Sequence, residues 1–253
     1  TNHAIAAVVD EALKAKEGQT VLLTGALSGP AELAVVKALG EQLGVRHVSY
    51  NPLESDAAAR AYRAVTGEQS VPRPDLSKAD LILGLGAEFI DRPEDGLERD
   101  FSTRRDPSAK SGMSRFVQFE GRLTLTGANA DSRVRVRDSH LPRLAGALAR
   151  AIVLDQKVGP LAGDAEIKAA LGKHDSLDAA AKTSGVPLPF LKGLVTELLA
   201  AKGKIVVLAG GSASASEGGL ALETAVALLN KSLGAYDSPA FDVSKGVTGA
   251  PTT

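Results

Sequence analysis

The sequence predicts an α/β protein with open parallel sheets and helices on both faces. Two features point there. The runs at residues 20–24, 81–85 and 204–209 are short and continuously apolar, as in strands buried on both faces. The first and last each lead through a Gly/Ser turn into a helix, the order of a βα unit whose crossover is right-handed.

The elements follow in order. Residues 3–16 read as an amphipathic helix with Ile5, Val8, Val9 and Leu13 on one face, ended by Gly18. After the strand at 20–24, the turn Gly25-Ala26-Leu27-Ser28-Gly29 precedes Pro30, which suits a first helical turn because its missing N–H needs no partner there. Gly44 stops that helix, and residues 45–50 form the next strand. A helix at 54–65 and a loop at 66–75 with Pro72 and Pro74 precede the strand at 81–85. Residues 91–114 form a long polar connection, partly helical. Residues 115–120 form a strand. In 133–137 arginine alternates with valine, placing three arginines on one face. Residues 141–154 are a strongly apolar helix, 158–189 shorter Ala-rich helices and 190–201 a helix. The strand at 204–209 leads through Gly210-Gly211-Ser212 into a helix at 219–233 and an irregular tail with Pro239 and Pro251. Residues 1–157 thus hold an α/β core, and 158–253 a helical segment with a second βα unit; one compact domain is the alternative.

Composition narrows the function. The 253 residues carry 29 basic and 30 acidic side chains, without the basic excess of a nucleic-acid binder. No cysteine is present, which excludes disulfides, thiolate metal sites, cysteine-ligated iron–sulfur clusters and a cysteine nucleophile within these residues. His3, His47, His140 and His174 are not spaced as metal ligands on one element. The sequence therefore predicts no molybdenum, iron or zinc on this chain. The start, Thr1-Asn2-His3, predicts a processed chain or part of a longer one.

Three glycine turns are candidate anion cradles, since backbone N–H groups there can hold phosphate. Gly25, Ser28 and Gly29 lack the Lys-Ser/Thr of a P-loop. Gly84 and Gly86 begin like a dinucleotide fingerprint, but Phe89 stands at the third glycine and Glu88 brings a repelling carboxylate. Gly210, Gly211 and Ser212 form the best cradle. A structural turn is the simpler reading of each. No G-x-S-x-G elbow surrounds Ser28, so a hydrolase triad has little support.

Residues 79–89 (Ala-Asp-Leu-Ile-Leu-Gly-Leu-Gly-Ala-Glu-Phe), 95–101, Arg104-Arg105 and 113–120 recur in order with Leu123-Thr124-Leu125-Thr126-Gly127-Ala128-Asn129-Ala130-Asp131-Ser132-Arg133. In this order they resemble the molybdopterin-oxidoreductase-like part of the large iron–sulfur subunit of bacterial alternative complex III, most specifically in the Thr-x-Thr-Gly-x-x-Ala-Asp-x-Arg string. More loosely, the chain is similar to the dimethyl-sulfoxide-reductase superfamily, with a final helix here reading Leu229-Asn230-Lys231-Ser232-Leu233-Gly234. The resemblance implies a molybdopterin-oxidoreductase-like fold without its cofactor, exported and held on the periplasmic side of the cytoplasmic membrane. Its partners would be an iron–sulfur domain, a multihaem cytochrome c and quinol-binding membrane subunits, which carry the iron–sulfur clusters and haem. The family subunit is far longer and bears cysteine-rich cluster motifs that are absent here, so no cluster ligand carries over.

The expectation is a cofactor-free scaffold of a respiratory quinol:acceptor complex, with no catalysis of its own. The alternatives are a pterin- or nucleotide-binding part of a molybdenum oxidoreductase and a periplasmic small-molecule binder. Arg104, Arg105, Arg133 and Arg135 are the predicted partner surface, because long polar connections are often functional and arginine is enriched at interfaces.

Overall fold

A computed structural model describes residues 2–15, 19–25, 27, 29–50, 56–91, 96–108 and 112–248. The chain forms two compact units, residues 1–54 with 251–253, and residues 55–250.

The first unit runs α1 (Asn2–Lys14), β1 (Val21–Thr24), α2 (Pro30–Leu43) and β2 (Arg46–Ser49). Strands β1 and β2 pair in parallel, with Val21 opposite Arg46. Pro30 opens α2, and Gly44 closes it in the left-handed region at φ 63°. The apolar run of β1 predicts burial on both faces, but Val21 and Leu23 are 46% and 65% exposed. The physical reason is the narrowness of the layer. A sheet of two strands and two helices covers little area, and none of this unit's described residues is buried.

The second unit opens with α3 (Ala57–Thr66), β3 (Ser70–Pro74) and β4 (Leu81–Leu85). It continues through α4 (Leu97–Thr103), β5 (Arg115–Glu120), α5 (Leu125–Ala128), β6 (Ser132–Arg135) and α6 (Leu141–Arg150). A π-helical turn, Ala151–Asp155, extends α6. Then come α7 (Ala165–Leu171), α8 (Leu177–Ser184), α9 (Leu188–Ala200), β7 (Ile205–Ala209), α10 (Gly211–Ser214), α11 (Gly219–Ser232) and β8 (Phe241–Thr248).

Its main sheet is parallel throughout, in the order β6-β5-β4-β7. All five residues of β4 are buried, as an inner strand covered on both faces requires. Phe89, Phe101 and Phe116 pack with ring centroids 5.5 Å apart in each pair. Helix α11 contributes Leu222, Val226 and Leu229 to the same core. The parallel α/β class read from the sequence is the fold observed, with helices flanking the sheets. Strand β7 comes from the 158–253 segment and β4 from the 1–157 segment, so the two share one sheet; the chain divides instead at Glu54 and Ser55.

The loop at 66–75 and the described part of the tail hold regular structure. They contribute β3 and β8, which pair antiparallel, with Ser70 opposite Thr248 and Pro74 opposite Phe241. The register shifts between Val71 and Arg73, around Pro72. Proline has no N–H for the ladder, and a bulge at the edge of a short ribbon accommodates it.

The strand order also locates a crevice. From β4 the chain winds through β5 to β6 on one side, and β7 is added on the other. Strands β4 and β7 thus lie side by side although β5 and β6 come between them in the chain. In open α/β sheets, ligands bind outside the carboxyl ends of the strands at such a switch point.

Candidate functional site

Two of the three glycine turns meet at this switch point. Gly86 follows β4 and Gly211 follows β7, both in the left-handed region at φ 74° and 56°. A Cβ on Gly86 would lie 3.0 Å from the Ala213 side chain and 3.4 Å from the carbonyl oxygen of Gly210. The turns are in contact, and the space between them is already taken. Glu88, almost wholly buried, sets its carboxylate so close to Gly211 that a Cβ there would lie 2.5 Å from Oε1. Arg122, from the loop after β5, donates to that carboxylate at 2.6 Å. Glu88 raises the Arg122 pKa through this hydrogen bond and its charge. Ser212 donates its hydroxyl to Asp138 Oδ2 at 2.6 Å, and the Gly121 N–H donates to Asp138 Oδ1 at 3.2 Å.

A phosphate-bearing pterin or nucleotide does not fit this arrangement. The cradle formed by Gly210, Gly211 and Ser212 meets the Glu88 carboxylate, and its serine hydroxyl is spent on another carboxylate. Like charge would meet like charge. Gly84, inside β4, is glycine for a packing reason: a Cβ there would overlap the side chain of buried Gln118, whose Nε2 donates to the Ala87 carbonyl at 2.8 Å.

The turn in the first unit is likewise occupied from within. The Gly29 N–H donates to Glu32 Oε2 at 3.4 Å, and the Gly25 carbonyl accepts from Thr24 and Ser49 hydroxyls. Ser28 lies outside the described residues. His47 pairs its Nε2 with the Thr24 hydroxyl at 2.9 Å.

The Thr-x-Thr-Gly-x-x-Ala-Asp-x-Arg string is a lattice of internal bonds. Thr124 donates its hydroxyl to Glu120 Oε2 at 2.6 Å and accepts from the Gly127 N–H at 2.9 Å. Gly127 is glycine because a Cβ would land on the Glu120 carboxylate. The Thr126 hydroxyl donates to Asp91 Oδ2 at 2.8 Å and accepts from the Ile90 N–H at 2.9 Å. Asp91 also accepts the Leu125 and Thr126 N–H groups. Burial alone would raise the Asp91 pKa, but these donors outweigh it and hold the carboxyl below its usual range. Asp131 accepts the Phe116 N–H at 2.7 Å, and Arg133 donates through Nε to buried Glu120.

Three of the four predicted partner arginines are therefore not free surface charges. Arg104 is nearly buried and donates to Asp80 at 2.8 Å. Arg105 grips both oxygens of Asp131 at 2.7 and 3.0 Å and lies over the Phe101 ring. Arg133 serves Glu120. Only Arg135 of the four is exposed on its strand without an ion pair among the described residues. The sequence reading missed Glu120, Asp91 and Asp138. The one usable signal was the four-residue spacing of Glu120 and Thr124, which suits a carboxylate receiving the first turn of a helix.

Two open hollows lie elsewhere. One of about 570 Å³ is lined by Leu154, Lys157, Ala162, Gly163 and Lys168. The other, about 440 Å³, is lined by Asp80, Leu81, Arg115, Glu197, Ala200 and Ala201. Among the described residues, no group of three or more His, Asp or Glu side chains is placed to hold a metal ion. No described helix is long and apolar enough to cross a membrane.

No family model matches the chain, and no curated protein matches it. Among solved structures it is similar to acetylene hydratase from Pelobacter acetylenicus, with a TM-score of 0.71 and 15% identity over 98% of this chain and 34% of that one. A second similar structure is the formyltransferase/hydrolase complex FhcABCD from Methylorubrum extorquens in complex with methylofuran, with a TM-score of 0.49 and 18% identity over 91% of this chain and 55% of that one. The chain thus spans about a third of the acetylene hydratase chain, and that likeness bears on the fold alone.

Proposed function

We propose that this chain is a cofactor-free structural domain of a respiratory quinol:acceptor electron-transfer assembly. It holds iron–sulfur and multihaem subunits at electron-transfer distance on the periplasmic side of the cytoplasmic membrane. One observation carries the reading: at the switch point, where a parallel α/β sheet takes its ligand, the protein's own Glu88 carboxylate stands against Gly211. The motif that most resembles alternative complex III supports it, because its polar side chains are bonded within the chain. A fold whose switch point holds its own carboxylate and whose signature side chains bond within the chain serves by its shape and surface.

The test is purification from native membranes, together with calorimetry on the isolated chain. The expected results are stoichiometric co-purification with haem- and cluster-bearing subunits, and no saturable heat on adding a phosphorylated pterin or a nucleotide. A chain that purifies alone and binds either ligand would return the reading to a catalytic oxidoreductase part or a small-molecule binder.

A further inference from the structure

The two edges of the four-stranded sheet are finished differently. At the β7 edge, Asn230 of α11 takes the place of a neighbouring strand. Its Oδ1 accepts the Val207 N–H at 2.9 Å, and its Nδ2 donates to the Val207 carbonyl at 2.8 Å. The pair of bonds is what an adjoining strand would supply, so that edge is closed to addition.

The β6 edge has no such cap among the described residues. Strand β6 pairs with β5 on one side only. The Val136 N–H points inward to the Glu120 carbonyl, so in this register Ser132 and Val134 face β5 as well. By alternation, Arg133 and Arg135 present their N–H and C=O groups outward. Arg135 and Arg137 follow at alternate positions, both exposed and without an ion pair among the described residues.

We propose that β6 is an acceptor edge for an extended, carboxylate-bearing segment of a partner polypeptide, which adds as a fifth strand. Backbone bonds to Arg133 and Arg135 would give affinity, and alternate Asp or Glu side chains would meet Arg135 and Arg137. A second copy of this chain is the wrong occupant. Two β6 edges pairing antiparallel would set these arginines against each other, and like charges directly opposite destabilise a pair. The arginines thus refuse self-association, as edge charges commonly do, while matching an acidic strand. This deepens the scaffold reading by naming a surface and a partner chemistry, and it rests on that reading for its biological setting.

The experiment uses the full chain labelled with nitrogen-15. The probe is a capped hexapeptide alternating glutamate and valine, and its control is the lysine–valine twin. At millimolar peptide, the glutamate probe should slow amide exchange of Arg133 by about tenfold or more, and the lysine twin should not. Arg135→Glu with Arg137→Glu should reverse the preference, and Arg135→Thr with Arg137→Thr, a milder change, should abolish it. Protection by neither peptide, equal protection by both, or a dimer in sedimentation that protects Arg133 would each overturn the proposal. The outcome is separable from the scaffold reading. An intact assembly whose contacts avoid β6 would sink this edge and leave the scaffold, whereas selective peptide binding by a chain that joins no assembly would do the reverse.

Discussion

Asn230 holds both backbone polar groups of Val207, accepting its N–H at 2.9 Å and donating to its carbonyl at 2.8 Å. Both residues are buried, so no water can replace the amide. Asn230→Leu should leave a buried donor and a buried acceptor unpaired and destabilise the fold by about 2–4 kcal/mol. Urea unfolding monitored by circular dichroism measures this. Faster amide exchange at Val207, with β4 amides little changed, would place the loss at the edge.

Gly127 and the Glu120 carboxylate compete for one volume. Gly127→Ala should force the carboxylate away from Thr124 and Arg133, at a cost of about 2–3 kcal/mol for overpacking and strained bonds. An alanine variant as stable as the parent in urea unfolding would show that the Glu120 network has room to relax.

Much of the scaffold is legible in the sequence because it rests on local signals. The apolar runs of β4 and β7 and the glycines at their ends announce buried parallel strands, and those strands are neighbours in the sheet. The pairing of β3 with β8 is not legible. It joins segments far apart in the chain, one of them broken by Pro72. The arginines misled for a related reason. Alternation in 133–137 shows which side chains share a face, but it cannot show that Glu120 of the neighbouring strand lies buried beneath Arg133. Glu88 could be read as hostile to phosphate from its place after the turn. That it stands against Gly211, more than a hundred residues away, follows only from the strand order.

The Glu120–Arg133 pair lends itself to a thermodynamic cycle. Glu120 is 2% exposed, so removing its guanidinium leaves a charge with little water. Arg133→Met should destabilise the protein by about 3 kcal/mol. Glu120→Gln in that background removes the stranded charge and should restore part of the loss, a coupling of about 1 kcal/mol or more. Strict additivity in urea unfolding would mean that the two side chains act independently.

The last prediction concerns Glu223, on the buried side of α11. It is 8% exposed, and its one described hydrogen-bond partner is the Ser214 hydroxyl, which donates at 2.5 Å. Burial pushes its pKa above the ordinary carboxylate value, and the Ser214 bond draws it only part of the way back. In the pH range between the unfolded and folded values, the native state therefore binds more protons than the unfolded chain. Stability then falls as pH rises through that range, because its slope with pH follows the protons bound by the unfolded state minus those bound by the native state. The contribution is fully present below the unfolded value and lost above the folded one. Glutamine keeps the size and the acceptor oxygen for Ser214 but never ionises. Glu223→Gln should accordingly melt at a higher temperature than the parent near neutral pH. The gap should close as pH falls below about 4, where the unfolded carboxylate is itself protonated. Thermal melts across this range measure it directly. A glutamine variant less stable than the parent at neutral pH would mean that the native fold favours the Glu223 carboxylate in its charged form.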